Sequence, residues 1–463
     1  MTTEYFQGPH DWSDSEGHIE KARDFYEHGH WSEALRELTD ALEINPGQAS
    51  WLFNKGLTLD SLERFSEAAL AYQEAHDLRP QDLEVLSCLA VDYTRLGEYD
   101  KALESFEKIE TLDPDYEPAF CNRIITYSEM GQHDQAEQMF YQARQLKEQC
   151  PFCFYNMGNS LFSRQLYERA IWCWQQTKSL NPNHPQINFR VGQAFWAQGN
   201  TVKAKEHFLA ELRLNAGDIE VLMDMGILLL EMNELDNARE KFHRILEMDD
   251  KQAQAHHYLG ELNLAQDKVA RAIECFNKAL THNRNQSGSH YRLGDCYLRL
   301  DQLPNAREHL LAELDQSPEQ PEVLLDLGCM LQEVGELTEA MNCFERAIDA
   351  CPKNARGYHN LSLCYYKAGL LDQGMELSEK VLALEPHHAA ALHNLAYANM
   401  RLKRFHLAEI CIKEALKEKP NDKPLRRLKR CIRINRSVSK VVEILKPLRS
   451  LRVKSLFKNS KAE

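Results

Sequence analysis

Residues 83–116 read LEVLSCLAVDYTRLGEYDKALESFEKIETLDPDY, two apolar-patterned runs each followed by a signal that stops a helix. Gly97 closes the first run and can adopt the left-handed backbone that ends a helix. Pro114 closes the second, because the residue before a proline is barred from helical geometry. Counted from Leu83, position 8 is Ala90 and position 20 is Ala102, small residues placed where two helices of a hairpin approach closely. Phe106 lies four residues beyond Ala102 on the same helix face and is large enough to fill the space under a following hairpin. The stretch therefore predicts a helix, a tight turn and a helix.

The same unit recurs along the chain. Asn45-Pro46, Arg79-Pro80, Asp113-Pro114 and Asn181-Pro182 are spaced by 34 residues or twice that number. With Ser15 as position 1, residues 15–422 divide into twelve units of 34 with no insertion or deletion. Position 8 is small in eleven units, among them Gly56, Gly158, Gly192, Gly260, Gly328 and Ser362. Position 20 is alanine in eleven units, with Gly374 in the other. Position 24 carries Tyr72, Phe106, Phe140, Trp174, Phe208, Phe242, Phe276 and Phe344. Unit 4 departs from the pattern, with Ile124 at position 8 and Glu148 where eight units have proline, and a branched side chain there is expected to push its two helices apart.

Small at 8, aromatic or leucine at 11, alanine at 20, aromatic at 24 and proline at 32 resemble the tetratricopeptide-repeat family. The resemblance covers residues 15–422 and implies an all-α fold, a right-handed superhelical solenoid of helical hairpins. It also implies that the first helix of each hairpin lines a concave groove, with positions 2, 5, 6, 9, 12 and 13 facing inward, and that the protein is an adaptor or chaperone-like scaffold holding a client peptide or helix. Position 6 then presents Asn54, Asn122, Asn156, Asn360 and Asn394, with Arg190, Arg292, Asp224 and Asp326 in other units. Asparagine both donates and accepts, so it can pair with the backbone of an extended segment whatever its sequence; the alternative is a set of solvated polar residues. Aromatics concentrate in units 5 and 6, with Tyr155 and Phe189 at position 5, Phe162 and Trp196 at position 12, and Asn156, Asn159 and Arg190 between them. That face is expected to be the principal binding surface, against a reading in which position 12 packs on the neighbouring hairpin. The carboxylate clamp by which some members grip acidic C-termini is not reproduced, since Tyr155, Arg190, Glu220 and Asp224 stand at its positions beside Asn159.

Catalytic signals are sparse. Cys150-Pro151-Phe152-Cys153 has the form of a dithiol motif but straddles the boundary of units 4 and 5, so a thiol oxidoreductase is the weakest functional reading and the pair is expected to be dispensable. A zinc site would need two more ligands, and there is no second CxxC. His256, His257, His387, His388 and His393 read as surface residues. No phosphate loop, dinucleotide fingerprint or nucleophile elbow is present, so no enzymatic activity, cofactor, metal or small-molecule substrate is expected.

The remaining segments are a polar lead, 1–14, a stretch at 423–446 expected to form a helix capping the array, and a basic tail at 447–463. Leu425, Leu428, Ile432, Val438, Val441, Val442 and Leu445 recur at helical spacing in the second of these. Residues 423–463 hold fourteen Lys and Arg against Glu443 and Glu463, a net of +12, which leaves 41 basic and 68 acidic residues, −27, in 1–422. Such asymmetry makes Arg426, Arg427, Lys429, Arg430, Arg433, Arg436 and the stretch 446–458 a candidate contact for an anionic membrane or nucleic-acid surface. The longest apolar stretch, 221–232, is too short to span a bilayer, the N-terminus shows no secretory pattern, and thirteen cysteines without regular spacing suit a reducing compartment, so a cytoplasmic protein is expected.

Overall fold

The computed structural model describes residues 9–182, 184–316 and 318–440, with side chains from Ser15 onward. Among the described residues the secondary structure is helices joined by tight turns, with no strand. Each 34-residue unit is a hairpin; repeat 3, for example, is Leu83–Arg95 followed by Tyr99–Leu112. The chain divides into two compact units, Met1–Ala238 and Arg239–Glu463.

Position 15 of all twelve repeats has positive φ: Gly29, Gly97, Gly131, Gly199, Gly335 and Gly369 where glycine is present, and Glu63, Gln165, Asn233, Asp267, Asp301 and Lys403 where it is not. The register therefore imposes the left-handed turn even on residues that pay about 1–2 kcal/mol for it.

Packing within a hairpin differs in one respect from the small-against-small contact expected at positions 8 and 20. A Cβ built on Gly56 would lie 2.4 Å from the Tyr72 ring, and one on Gly158 2.5 Å from Trp174 Nε1; Gly192, Gly260 and Gly328 meet Phe208, Phe276 and Phe344 in the same way. The position 24 ring thus lies across position 8 of its own hairpin and sets the size limit there. In repeat 4 Ile124 occupies that space, fully buried, and Phe140 keeps 6% exposure while Tyr72, Trp174, Phe208, Phe276 and Phe344 have none. Phe140 turns toward the next repeat, its ring 5.4 Å from that of Phe154.

Core clusters run from one repeat into the next, as in other repeat arrays. In the first compact unit Phe120, Ile124, Phe140, Phe154, Leu161 and Trp174 join repeats 4 and 5. In the second, Leu310, Leu325, Leu331, Phe344 and Leu361 join repeats 9 to 11.

Repeats 6 and 9 share a device invisible in the period. Their first helices are shortened to Ile187–Ala197 and Ser289–Arg299, and position 2 is left-handed, at Gln186 and Gly288. Position 27, small or aliphatic in most repeats, is buried Glu211 or Glu313. Glu211 accepts the backbone N–H groups of Gln186 and Asn188, each at 3.1 Å, and Glu313 accepts that of Tyr291 at 2.9 Å. A carboxylate from the second helix replaces the local side-chain cap at the start of the first.

At the N-terminus the first helix is Pro9–Glu27, so it begins within the segment read as a polar lead. At the other end residues 423–440 are helical and place Leu425, Leu428 and Ile432 in one cluster with Leu392, Ala396, Ala408 and Ile412 of repeat 12. Val438 is exposed instead of continuing that face, and Val441, Val442, Leu445 and the stretch 447–463 lie outside the described residues.

Candidate binding face on the first helices

Side chains at position 6 of the first helices mostly reach back to the preceding repeat. Asn156 is buried and donates to the Cys121 carbonyl at 2.9 Å; Asn122 donates to Ser87 Oγ at 3.1 Å and Asn360 to Cys329 Sγ at 3.3 Å. Asn394 Oδ1 lies 3.3 Å from His393 Nδ1, and its Nδ2 is buried with no hydrogen-bond partner. Of the five asparagines, Asn54 is exposed. The asparagine series is therefore largely a set of pins between adjacent first helices.

The aromatic face of repeats 5 and 6 is likewise engaged internally. Phe189 is fully buried against Phe208 and is a packing residue, a correction to its expected place in the groove. Its ring packs on Phe208 of the second helix of its own hairpin, and Asn188 beside it is also buried. Phe162 packs on Tyr167 and Trp174, Asn159 accepts the Trp174 indole N–H at 3.2 Å, and Tyr155 lies against His184 with ring centroids 4.6 Å apart. Half-buried Trp196 donates to Glu231 at 2.7 Å, while Arg190 donates to Gln193, which donates to Asp224. Burial raises the Asp224 carboxyl above its ordinary range, the Gln193 bond opposing the shift.

Open space on this face occurs elsewhere. A cleft of about 570 Å³ lies between the first helices of repeats 9 and 10, lined by Tyr291, Arg292, Asp295, Leu298, Arg299, Asp326, Cys329, Met330 and Glu333. Nearly all of these stand at positions 5, 6, 9, 12 and 13, the positions expected to face a groove. Tyr291, Leu298 and Met330 are anchored below on the core. The charges form pairs across repeats, Arg292 to Glu261 at 2.5 Å and Arg356 to Asp326 at 2.5 Å, while Arg299 holds Asp295 at 2.8 Å within its own helix. A second cleft of about 560 Å³, between repeats 1 and 2, is lined by Ile19, Ala22, Tyr26, Leu38, Leu57 and exposed Asn54 among others.

Tetratricopeptide-repeat profiles match residues 19–82, 83–116, 155–219, 223–289, 265–321, 321–354 and 365–430. The chain belongs to the tetratricopeptide-repeat family. A comparison with curated proteins finds no match. Among solved structures the chain is similar to the Cut9–Hcn1 hetero-tetramer of the APC/C, at 15% identity over 91% of this chain and 96% of that one, with a TM-score of 0.39. It is similar to yeast Tom70 at 14% identity over 95% and 99%, TM-score 0.37. It is also similar to YrrB, described as a TPR protein with an unusual peptide-binding site, at 25% identity over 40% and 96%, TM-score 0.35.

As a tetratricopeptide-repeat protein the chain is, in general kind, a protein-interaction scaffold. No described helix is long and apolar enough to cross a membrane. Arg427, Arg430 and Arg433 are exposed on the helix at 423–440, and Lys429 is half-buried. Arg426 instead donates to the Pro420 carbonyl and Asn421, and Arg436 pairs with Glu409 at 2.6 Å, so two of the six basic residues hold the helix in place.

The CPFC pair of this tetratricopeptide-repeat protein is buried at the start of Pro151–Ser163, where Cys150 is the N-cap and accepts the Cys153 N–H at 3.3 Å. Burial and a hydrogen bond with Glu117 push the Cys150 thiol up to about 11, the opposite of an activated nucleophile. Cys153 forms a disulfide with Cys121 of repeat 4. Glu117 and Cys121 complete a four-residue group that no second CxxC announces in the sequence; its signal there is their spacing of four, one repeat upstream.

Proposed function

We propose that the chain is a non-enzymatic scaffold that seats a segment of a client protein on its first-helix face, with the cleft of repeats 9 and 10 as the principal seat. The observation that carries this reading is the cleft itself, about 570 Å³ of open space lined by groove positions. Its floor offers Tyr291, Leu298 and Met330 as apolar anchors, and its walls offer both signs of charge. Such a surface suits a segment that buries alternate apolar side chains while its polar groups meet Arg292, Arg299, Asp295 and Asp326. In repeats 5 and 6 the corresponding side chains are engaged within the protein, Asn156 on the Cys121 carbonyl, Asn159 on Trp174 and Trp196 on Glu231.

The test places a photo-crosslinking residue at Met330 and, as a control, at Leu70, an exposed position on a second helix. A client crosslinked from Met330 alone is then titrated against wild type and Tyr291→Ala. Loss of a central aromatic anchor costs about 2 kcal/mol or more, so affinity should fall by at least about tenfold. Equal crosslinking from both positions, or unchanged affinity in Tyr291→Ala, contradicts the reading.

A second reading rests on Arg427, Arg430 and Arg433, exposed on the same helix as exposed Ile434 and Val438. This combination suits an anionic membrane surface. Salt-sensitive cosedimentation with anionic vesicles that is lost in Arg427→Glu/Arg430→Glu would favour it.

A further inference from the structure

The first helix of repeat 4, Glu117–Glu129, places Glu117 and Cys121 one turn apart on one face. The first helix of repeat 5 opens with Cys150 as N-cap and Cys153 in its first turn. These four residues converge. Cys121 Sγ is 3.5 Å from Cys150 Sγ and 2.9 Å from Glu117 Oε1, and Cys153 Sγ is 3.3 Å from the same carboxylate oxygen. All four ligand atoms lie within 4.8 Å of one another, and the three cysteines are buried.

A disulfide between Cys121 and Cys153 uses two of these groups and leaves N-cap Cys150 and the Glu117 carboxylate facing it. A third thiol and a carboxylate aimed at the same buried point are what a cation requires. Tetrahedral Zn²⁺ with sulfur ligands at about 2.3 Å has ligand–ligand edges of about 3.8 Å; here Cys121–Cys150, Cys153–Glu117 and Cys121–Glu117 are 3.5, 3.3 and 2.9 Å apart and no pair exceeds 4.8 Å, so small adjustments would seat the ion. Thiolates select zinc over harder divalent ions such as magnesium and calcium. The Cys153 N–H donates to Cys150 Sγ at 3.3 Å and holds that sulfur at the start of the helix, facing Cys121.

We propose that, with the disulfide reduced, Cys121, Cys150, Cys153 and Glu117 bind one Zn²⁺ as a closed structural site joining repeats 4 and 5. A dithiol reductant supplies two electrons and two protons to the Cys121–Cys153 bond and leaves as its own disulfide. Zinc then displaces three thiol protons to solvent and forms three Zn–S bonds and one Zn–O bond to the Glu117 carboxylate. Oxidation by a disulfide reverses the sequence, with Cys121 and Cys153 bonded and the ion released. The site joins the first helix of repeat 4, the repeat whose pattern departs at Ile124, to the start of the first helix of repeat 5, and the ion would clamp these two first helices.

The experiment uses the full chain, reduced with a phosphine, incubated with Zn²⁺ alone and desalted, with bound metal measured by mass spectrometry. The expected result is one zinc per chain in reduced protein and none in protein carrying the disulfide. Cobalt in its place should give the intense thiolate charge-transfer and visible ligand-field bands of a tetrahedral site. Cys150→Ser should lower zinc affinity by more than about a hundredfold, beyond the loss typical of an outer-shell change. Glu117→Gln should keep the sulfur-to-cobalt band and weaken binding. If Cys150→Ser fails to fold, alkylation of wild type serves instead, with zinc protecting Cys121, Cys150 and Cys153 together. Reduced protein that retains no zinc, equal retention in the oxidised chain or in folded Cys150→Ser, or alkylation of the three cysteines unaffected by zinc would overturn the proposal.

Discussion

Single buried carboxylates carry functions in this chain that its charge count hides. Asp92 is fully buried beside Asp60, and Arg95 reaches both carboxylates at 3.1 and 3.0 Å. Burial, with the hydrogen bond to Asp60 next in weight, lifts the Asp92 carboxyl to about 8. The folded state then keeps a proton that the unfolded chain has released above about pH 4, so this group's contribution is full below that pH and lost as pH rises toward 8. Asp92→Asn should flatten that decline, which urea midpoints of both proteins across the range will show; parallel pH profiles would contradict it. Glu211 acts differently, as acceptor for two N–H groups at the start of Ile187–Ala197. Glu211→Ala strands these donors, at a cost of about 1–3 kcal/mol for each that remains buried, and Glu211→Gln should cost less. Faster amide exchange confined to the start of that helix is the expected signature; unchanged exchange would deny the capping role.

Pairs of helices are held by an aromatic ring laid over a residue without a side chain. Gly158→Ala would bring a Cβ to 2.5 Å from Trp174 Nε1, whose N–H is fixed on Asn159. Overpacking of this kind costs about 1–3 kcal/mol, and a lower melting temperature in a folded variant is expected. A Gly158→Ala protein as stable as wild type would show that the ring moves freely. The period of 34 made the small residue legible but not its partner, because Ala102 and Phe106 both fall on the face of the second helix that meets the first. The left-handed turn was legible in six repeats through glycine and hidden in the other six, where Glu63 or Lys403 takes the same φ. Beyond repeat 12, truncation after Asp422 removes Leu425, Leu428 and Ile432 from the cluster with Leu392 and Ile412. Each such side chain contributes about 1.5–3 kcal/mol on burial, so the truncated chain should melt lower and self-associate; an unchanged melt of a monomer would refute a capping role for that helix.

Across the molecule the fold was legible because one unit repeats without insertion, so each position's chemistry could be compared twelve times. The binding face was legible only as a set of positions. Which of them are open depends on contacts made within and between repeats: Asn156 turns to Cys121 of the preceding repeat and Phe189 to Phe208 of its own, while Tyr291 and Met330 border free space. The Glu117 and Cys121 pair is not legible by itself, since its partners stand in the next repeat. On the proposed function a client segment sits between the first helices of repeats 9 and 10. Hydrogen–deuterium exchange of the full chain, with and without the crosslinked client's peptide, tests it most directly. Slowed exchange concentrated in Ser289–Arg299 and Pro321–Val334, with the second helices Leu303–Asp315 and Leu337–Ala350 unchanged, is the predicted result. Protection confined to Pro151–Ser163 and Ile187–Ala197, or to second helices, would contradict it.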